Sequence, residues 1–204
     1  MGGVDRLEAT RALVELLTHE LVVAALGNPA YDLFLAGDRD ENFYMWGAMG
    51  LAGSVGLGLA LALPGRRVVV LDGDGAVLMN LNALATIGSL RPANLVHVVW
   101  DNGSYDLTGG QPTAAARGVR LAAVARACGY DPVEEVEDLA AFRACMKRAL
   151  ADRRGPWFVW VRTLPTRPRE VPLEALRRRW VQLEPFMDRA QGRGAEGPLQ
   201  GQIR

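Results

Sequence analysis

Apolar residues at the start of the chain fall at helical intervals. Leu7, Leu13, Val14, Leu16, Leu17 and Leu21 share one face, and Asp5 with Glu8 has capping-box spacing, Asp standing in for the usual Ser or Thr. The pattern predicts an opening helix. It then changes to short apolar runs rich in Val and aromatic residues, at 21–26, 68–71, 95–100 and 157–161, which read as strands buried on both faces. Stretches with helical character lie between them, near 51–63, 80–90, 121–128 and 139–151. Strand and helix in alternation imply an α/β fold: one domain with a central parallel sheet of about six strands and helices on both faces.

From Pro165 the composition shifts to Pro and Arg, and the last residues have almost no apolar periodicity. The expected organisation is a domain over residues 1–175, a C-terminal helix over 176–190 and a disordered tail over 191–204. The run Arg177 to Arg179 is expected on the solvated face of that helix.

The chain has 204 residues, half of them hydrophobic, enough for one substantial core. Lys plus Arg and Asp plus Glu each total 23, so no global field draws the chain to nucleic acid or anionic lipid. A small-molecule or protein partner is favoured. The apolar stretch at 50–63 is too short to span a membrane, and the charged, amphipathic start lacks the pattern of a secretory leader. Cys128 and Cys145 form no CxxC pair, which argues against a zinc site or an iron–sulfur cluster; they read as reduced thiols of a cytoplasmic protein.

Ligands of an open parallel sheet collect at the carboxyl ends of its strands, and two predicted strand ends are unusually polar. One runs into Gly73-Asp74-Gly75, where flanking glycines admit a phosphate to the backbone and the carboxylate is a hard ligand for magnesium. Taken alone, this reads first as an ordinary strand-to-helix turn, which often contains Gly and Asp for conformational reasons. The other ends in Asp101-Asn102-Gly103-Ser104-Tyr105. Asn102 follows Asp74 by 28 residues, the length of a helix and the next strand, so neighbouring strand ends could present both to one ion.

With these motifs the sequence resembles thiamine diphosphate (ThDP) dependent enzymes, whose diphosphate-binding domain carries a GDG, a spacer of this length and an Asn-containing turn. The match runs from residue 5 to about 175. It is closest over 38–92 and in DNGSYDLTGGQPT at 101–113, which look like the sulfopyruvate decarboxylase β-subunit and phosphonopyruvate decarboxylase group. The resemblance implies a ThDP-binding fold and both ThDP and Mg2+ as cofactors. Asp74, Asn102 and the Ser104 carbonyl would hold the metal, Gly73, Gly75 and Ala76 would line the diphosphate, and Tyr105 would face the cofactor. The segment Trp46-Gly47-Ala48-Met49-Gly50 looks like the one that cradles the aminopyrimidine, with Met49 as the wedge between the two rings and the Gly47 carbonyl accepting from the exocyclic amine. Read from the residues alone, Met49 is a core side chain and the glycines serve helix packing. The commoner family turn begins Asn-Asn, whereas this chain has Asp101-Asn102, which brings an extra carboxylate near the ion.

The family also needs a Glu opposite the pyrimidine ring nitrogen, carried by a pyrimidine-binding domain. The chain has room for only one domain of this kind, and Glu41 reads as a surface or interface residue. The expectation is an α-type partner chain that supplies the Glu, in a hetro-oligomer of two of each. The resemblance points to non-oxidative decarboxylation of a small anionic 2-oxo acid resembling 3-sulfopyruvate or 3-phosphonopyruvate. Arg39, Arg117 and the Gln111-Pro112-Thr113 loop are candidate anion contacts, although each Arg reads first as a surface residue. His97 reads as a satisfied core group and His19 receives no role, while Thr108, like Tyr105, follows the metal turn and would face the cofactor with no step assigned to it. A carboligase, a subunit of a 2-oxoacid oxidoreductase and a non-catalytic ThDP-binding regulatory subunit are the alternatives.

Overall fold

The computed structural model describes residues 2–165, 170–181 and 184–193. Helix α1 (Arg6–Val14) is capped by the Asp5 carboxylate, which accepts the Glu8 N–H at 3.0 Å. Strand β1 (Leu21–Ala24) leads into α2 (Asn28–Ala36), β2 (Asn42–Tyr44) and α3 (Ala52–Ala62). Strand β3 (Val68–Gly73) passes directly into the short α4 (Asp74–Met79), followed by α5 (Asn82–Leu90) and β4 (Leu95–Asp101). A two-stranded antiparallel ribbon, β5 (Ser104–Tyr105) with β6 (Gln111–Pro112), precedes α6 (Leu121–Cys128), β7 (Val133–Val136), α7 (Leu139–Ala151) and β8 (Trp157–Arg162). Helices α8 (Leu173–Val181) and α9 (Glu184–Ala190) follow.

The main sheet has six parallel strands in the order β2-β1-β3-β4-β8-β7. Along β3 and β4 nearly every residue is buried, because side chains alternate between two cores. Val69, Leu71, Val96 and Val98 pack with α1, α2 and α7 through Leu13, Leu33, Phe142 and Met146. Val68, Val70, Leu95 and Val99 pack with α3, α5 and α6 through Leu57, Ile87 and Leu121. Strand β7 lies at one edge and carries the charged, partly exposed Glu134 and Glu135, which discourage further strand pairing.

Several elements differ from the sequence pattern. Helix α2 and strands β2 and β7 were not foreseen, being short or lacking a clear period. Where one C-terminal helix is expected at 176–190, α8 and α9 lie; residues 182–183 between them, and the expected tail from residue 194 on, fall outside the described residues. Arg177 and Arg178 are exposed as expected, but Arg179 is largely buried and donates to the Arg39 carbonyl at 2.6 Å. Phe186 of α9 packs on Phe43 of β2 with ring centroids 5.3 Å apart. The C-terminal helices therefore brace the strand that leads into residues 45–51. Among the described residues no helix is long and apolar enough to cross a membrane.

Candidate functional site

A cavity of about 290 Å³ opens at the carboxyl ends of β1, β3 and β4. Its wall is Ala25, Leu26, Asn28 and Pro29 after β1; Met49; Gly73 to Ala76 and Met79 after β3; Trp100 and Asn102 at the end of β4; and Ser104 to Thr108, with Arg6 of α1 beside them. Eight of the ten expected site residues thus line one space. Gly47 and Ala48 precede Met49 but are not part of that lining.

Asp74 is the first residue of α4, where the unpaired N–H groups of the first turn favour negative charge. Its side chain belongs to a residue only 2% exposed, and Oδ2 accepts the Thr113 hydroxyl at 2.6 Å. Burial pushes this carboxyl up to about 7. The Thr113 hydroxyl and the Gly75 and Asp74 N–H groups oppose that rise, while the charge of Asp101 adds to it. A carboxylate that cannot easily hold its charge in a dry wall is one that a cation in the cavity would stabilise.

Register places Gly73 beside Trp100, so the turns after β3 and β4 are neighbours, as the spacing between Asp74 and Asn102 required. Asn102 Oδ1 accepts the Ser104 N–H at 3.0 Å, closing a turn through its own side chain. One carboxylate, one amide oxygen and a backbone carbonyl could offer an all-oxygen donor set of the kind that suits magnesium. Among the described residues no group of three or more His, Cys, Asp or Glu could hold a metal.

Gly73 keeps its N–H on Asp72 Oδ1 at 3.0 Å, so it offers the cavity the absence of a side chain rather than a donor. At Gly75 the requirement is close approach: a Cβ there would overlap the Tyr105 ring. Met49 is partly exposed and faces the cavity, and it is Met45 that enters the core, so Met49 is not a core side chain here. The backbone around Met49 is unusual, with Ala48 at φ 59° and Gly50 at φ 88°; Asn80 Nδ2 holds the Gly50 carbonyl at 2.8 Å. Left-handed backbone at a non-glycine residue is a strain typical of ligand clamps.

Other expectations change. Asp101 is not part of the cavity lining: Oδ1 accepts the Gly103 N–H and Oδ2 accepts Trp160 Nε1 at 2.7 Å. Thr113 is not an anion contact, because it is buried and serves Asp74; Gln111 and Pro112 are exposed on β6. Arg39 sits at the opposite end of the sheet, bonded to the Thr18 and Glu20 carbonyls and 3.5 Å from Glu41. Arg117 is exposed and lies outside the cavity wall. Glu41 is taken up in ion pairs with Arg39 and Arg189. His97 is satisfied as expected, with Nδ1 3.2 Å from the Tyr130 hydroxyl and Nε2 3.4 Å from Asp72 Oδ2.

Sequence reasoning missed Asn28, Pro29, Arg6 and Asp106. Gly27-Asn28-Pro29 after an apolar run is a readable helix start, with Pro in the first turn. Arg6, buried and paired with Asp32 at 2.6 Å, left no local signal.

Residues 34–161 match the family described as thiamine pyrophosphate enzyme, C-terminal TPP binding domain. A phosphonopyruvate decarboxylase of Streptomyces viridochromogenes is 47% identical over 174 residues, covering 82% of this chain and 43% of that protein. The chain thus spans less than half of that relative. A sulfopyruvate decarboxylase subunit beta of Methanocaldococcus jannaschii is 37% identical over 182 residues, 87% of this chain and 95% of that one. Among solved structures, a thiamine diphosphate-dependent 4-hydroxybenzoylformate decarboxylase of Rhodococcus jostii shares the fold at TM-score 0.67 and 23% identity, over 81% of this chain and 34% of that one. The motifs, the cavity at the switch between neighbouring strand ends and these matches agree, and the chain belongs to the thiamine pyrophosphate enzymes as a C-terminal TPP-binding domain.

Proposed function

We propose that this chain is the β-type subunit of a split, Mg2+-dependent 2-oxo acid decarboxylase that converts a substrate resembling 3-sulfopyruvate or 3-phosphonopyruvate to an aldehyde and carbon dioxide. The observation that carries the reading is the match to a decarboxylase subunit beta over nearly that subunit's whole length. The cavity supports it. Asp74, Asn102 and the Ser104 carbonyl would hold the ion, and the first turns of α2 and α4, with Gly75 and Ala76, would face the diphosphate. Met49 would hold the two rings at an angle, and the Gly47 carbonyl would accept the pyrimidine amine. When bound, ThDP supplies the electron sink for loss of carbon dioxide.

The residues around the cavity mouth favour a second polypeptide. Among the described residues the carboxylates in its wall are Asp74 and Asp106, with no Glu among them. Met79 and Leu107 line it yet are 61% and 45% exposed, and Trp46 and Leu51 on either side of Met49 are 64% and 43% exposed. Exposed apolar surface around the cavity mouth suits a covering chain, and that chain would bring the Glu.

The test is co-expression with a candidate pyrimidine-domain chain, addition of ThDP and Mg2+, and measurement of carbon dioxide and aldehyde from sulfopyruvate and phosphonopyruvate. Release by the pair and not by either chain alone is expected. Brisk turnover by this chain alone would overturn the split site, and an acyloin or acetohydroxy acid in place of aldehyde would make it a carboligase.

A further inference from the structure

The Asn102 amide is held from both ends. Oδ1 accepts the Ser104 N–H at 3.0 Å, and Nδ2 donates to Asp106 Oδ2 at 2.6 Å. The two ends of an amide have nearly the same size, so only the donors and acceptors around it decide which way it faces. Both neighbours here decide the same way. Turning the amide over would bring its oxygen against a carboxylate oxygen and its NH2 against the Ser104 N–H.

Magnesium takes the oxygen end of an amide. A carboxylate accepting from Nδ2 therefore keeps the correct end available, and it draws electron density toward Oδ1, as outer partners of metal ligands do. Asp106 also lines the cavity, so its charge adds to that of Asp74. By sequence the extra carboxylate was Asp101, but Asp101 is committed to Trp160 and Gly103.

Resting on the reading of this cavity as a ThDP and magnesium site, we infer that Asp106 is a positioning residue for the divalent cation: it orients and polarises Asn102. Its action passes through another side chain, so coupling is the quantity to measure. Mn2+ binding to the full chain, alone and with the pyrimidine-domain chain, is followed in saturating ThDP by the electron paramagnetic resonance of free Mn2+. Asp106→Ala should weaken Mn2+ binding about 10- to 100-fold. Asp106→Asn, which can still accept from Nδ2 but has lost the charge and permits the flipped amide, should fall between it and the parent. In an Asn102→Ala background Asp106→Ala should cost little more.

Unchanged Mn2+ affinity in Asp106→Ala would overturn the inference, as would the same loss in both backgrounds. Should Asp106→Ala fail to fold, the nearly isosteric Asp106→Asn carries the test, and parent-like Mn2+ affinity there would overturn it too. Should the parent chain bind no Mn2+ in the presence of ThDP, with or without its partner, the cofactor reading itself fails and the inference falls with it.

Discussion

Asp74 places a charge in a wall that does not solvate it. In the metal-free chain its carboxyl is held near 7 by burial, against an unfolded value of 3.8. A raised folded pKa means that the contribution to stability is full below the unfolded value and is lost as pH rises through about 7. Metal-free protein should therefore lose a few kcal/mol between about pH 4 and pH 8. Asp74→Asn should flatten that dependence and raise the metal-free Tm at pH 8, while weakening Mg2+-dependent ThDP binding by at least about 100-fold. Thermal melts across pH and cofactor titration check the two halves of this prediction. Thr113→Val removes the 2.6 Å donor to Asp74 and should cost about 1–3 kcal/mol in urea unfolding above pH 7, where the carboxylate would be left short of a partner.

At the scale of elements, the glycines report how tightly the helices lie. A Cβ at Gly88 of α5 would run into the Cys128 carbonyl at the end of α6, so Gly88→Ala should force the two helices apart and cost about 1–3 kcal/mol. A lower urea midpoint with an unchanged m-value is the expected result. The turns after β3 and β4 are similarly coupled through Gly75 and Tyr105. Gly75→Ala should impair folding or ThDP binding, and adding Tyr105→Ala should restore part of the loss, because the ring is what the new methyl group meets.

For the whole molecule, the sheet arranges one end for chemistry and the other for bracing. Loops at the carboxyl ends of β1, β3 and β4 form the cavity, while Arg39, Glu41 and Arg189 join the opposite end of β2 to the C-terminal helices. Met79 and Leu107 at the cavity mouth are exposed among the described residues. Met79→Asp and Leu107→Asp should leave the Tm of the isolated chain within about 0.5 kcal/mol of equivalent stability, since both side chains are exposed. They should abolish co-purification with the pyrimidine-domain chain; undiminished pairing would place the partner elsewhere.

Apolar runs, their length and their alternation with helical periods determined the α/β class and the parallel sheet, because strands buried on both faces leave near-continuous Val and Leu at 68–71 and 95–98. Local motifs likewise named the turns at Asp74 and Asn102, since a residue's chemical type and its spacing by one helix and one strand are properties of the chain itself. Short elements were not legible: β2 and β7 have three and four residues, and pairing with a neighbour stabilises them rather than any period of their own. Orientation was also a tertiary matter. Asp101 and Asp106 are both carboxylates near Asn102, and nothing local says that Trp160, 59 residues away, takes one while the Asn102 amide takes the other. The same holds for Thr113 on Asp74 and for Arg6 at the cavity, because which buried polar groups satisfy one another depends on how distant segments are brought together by packing.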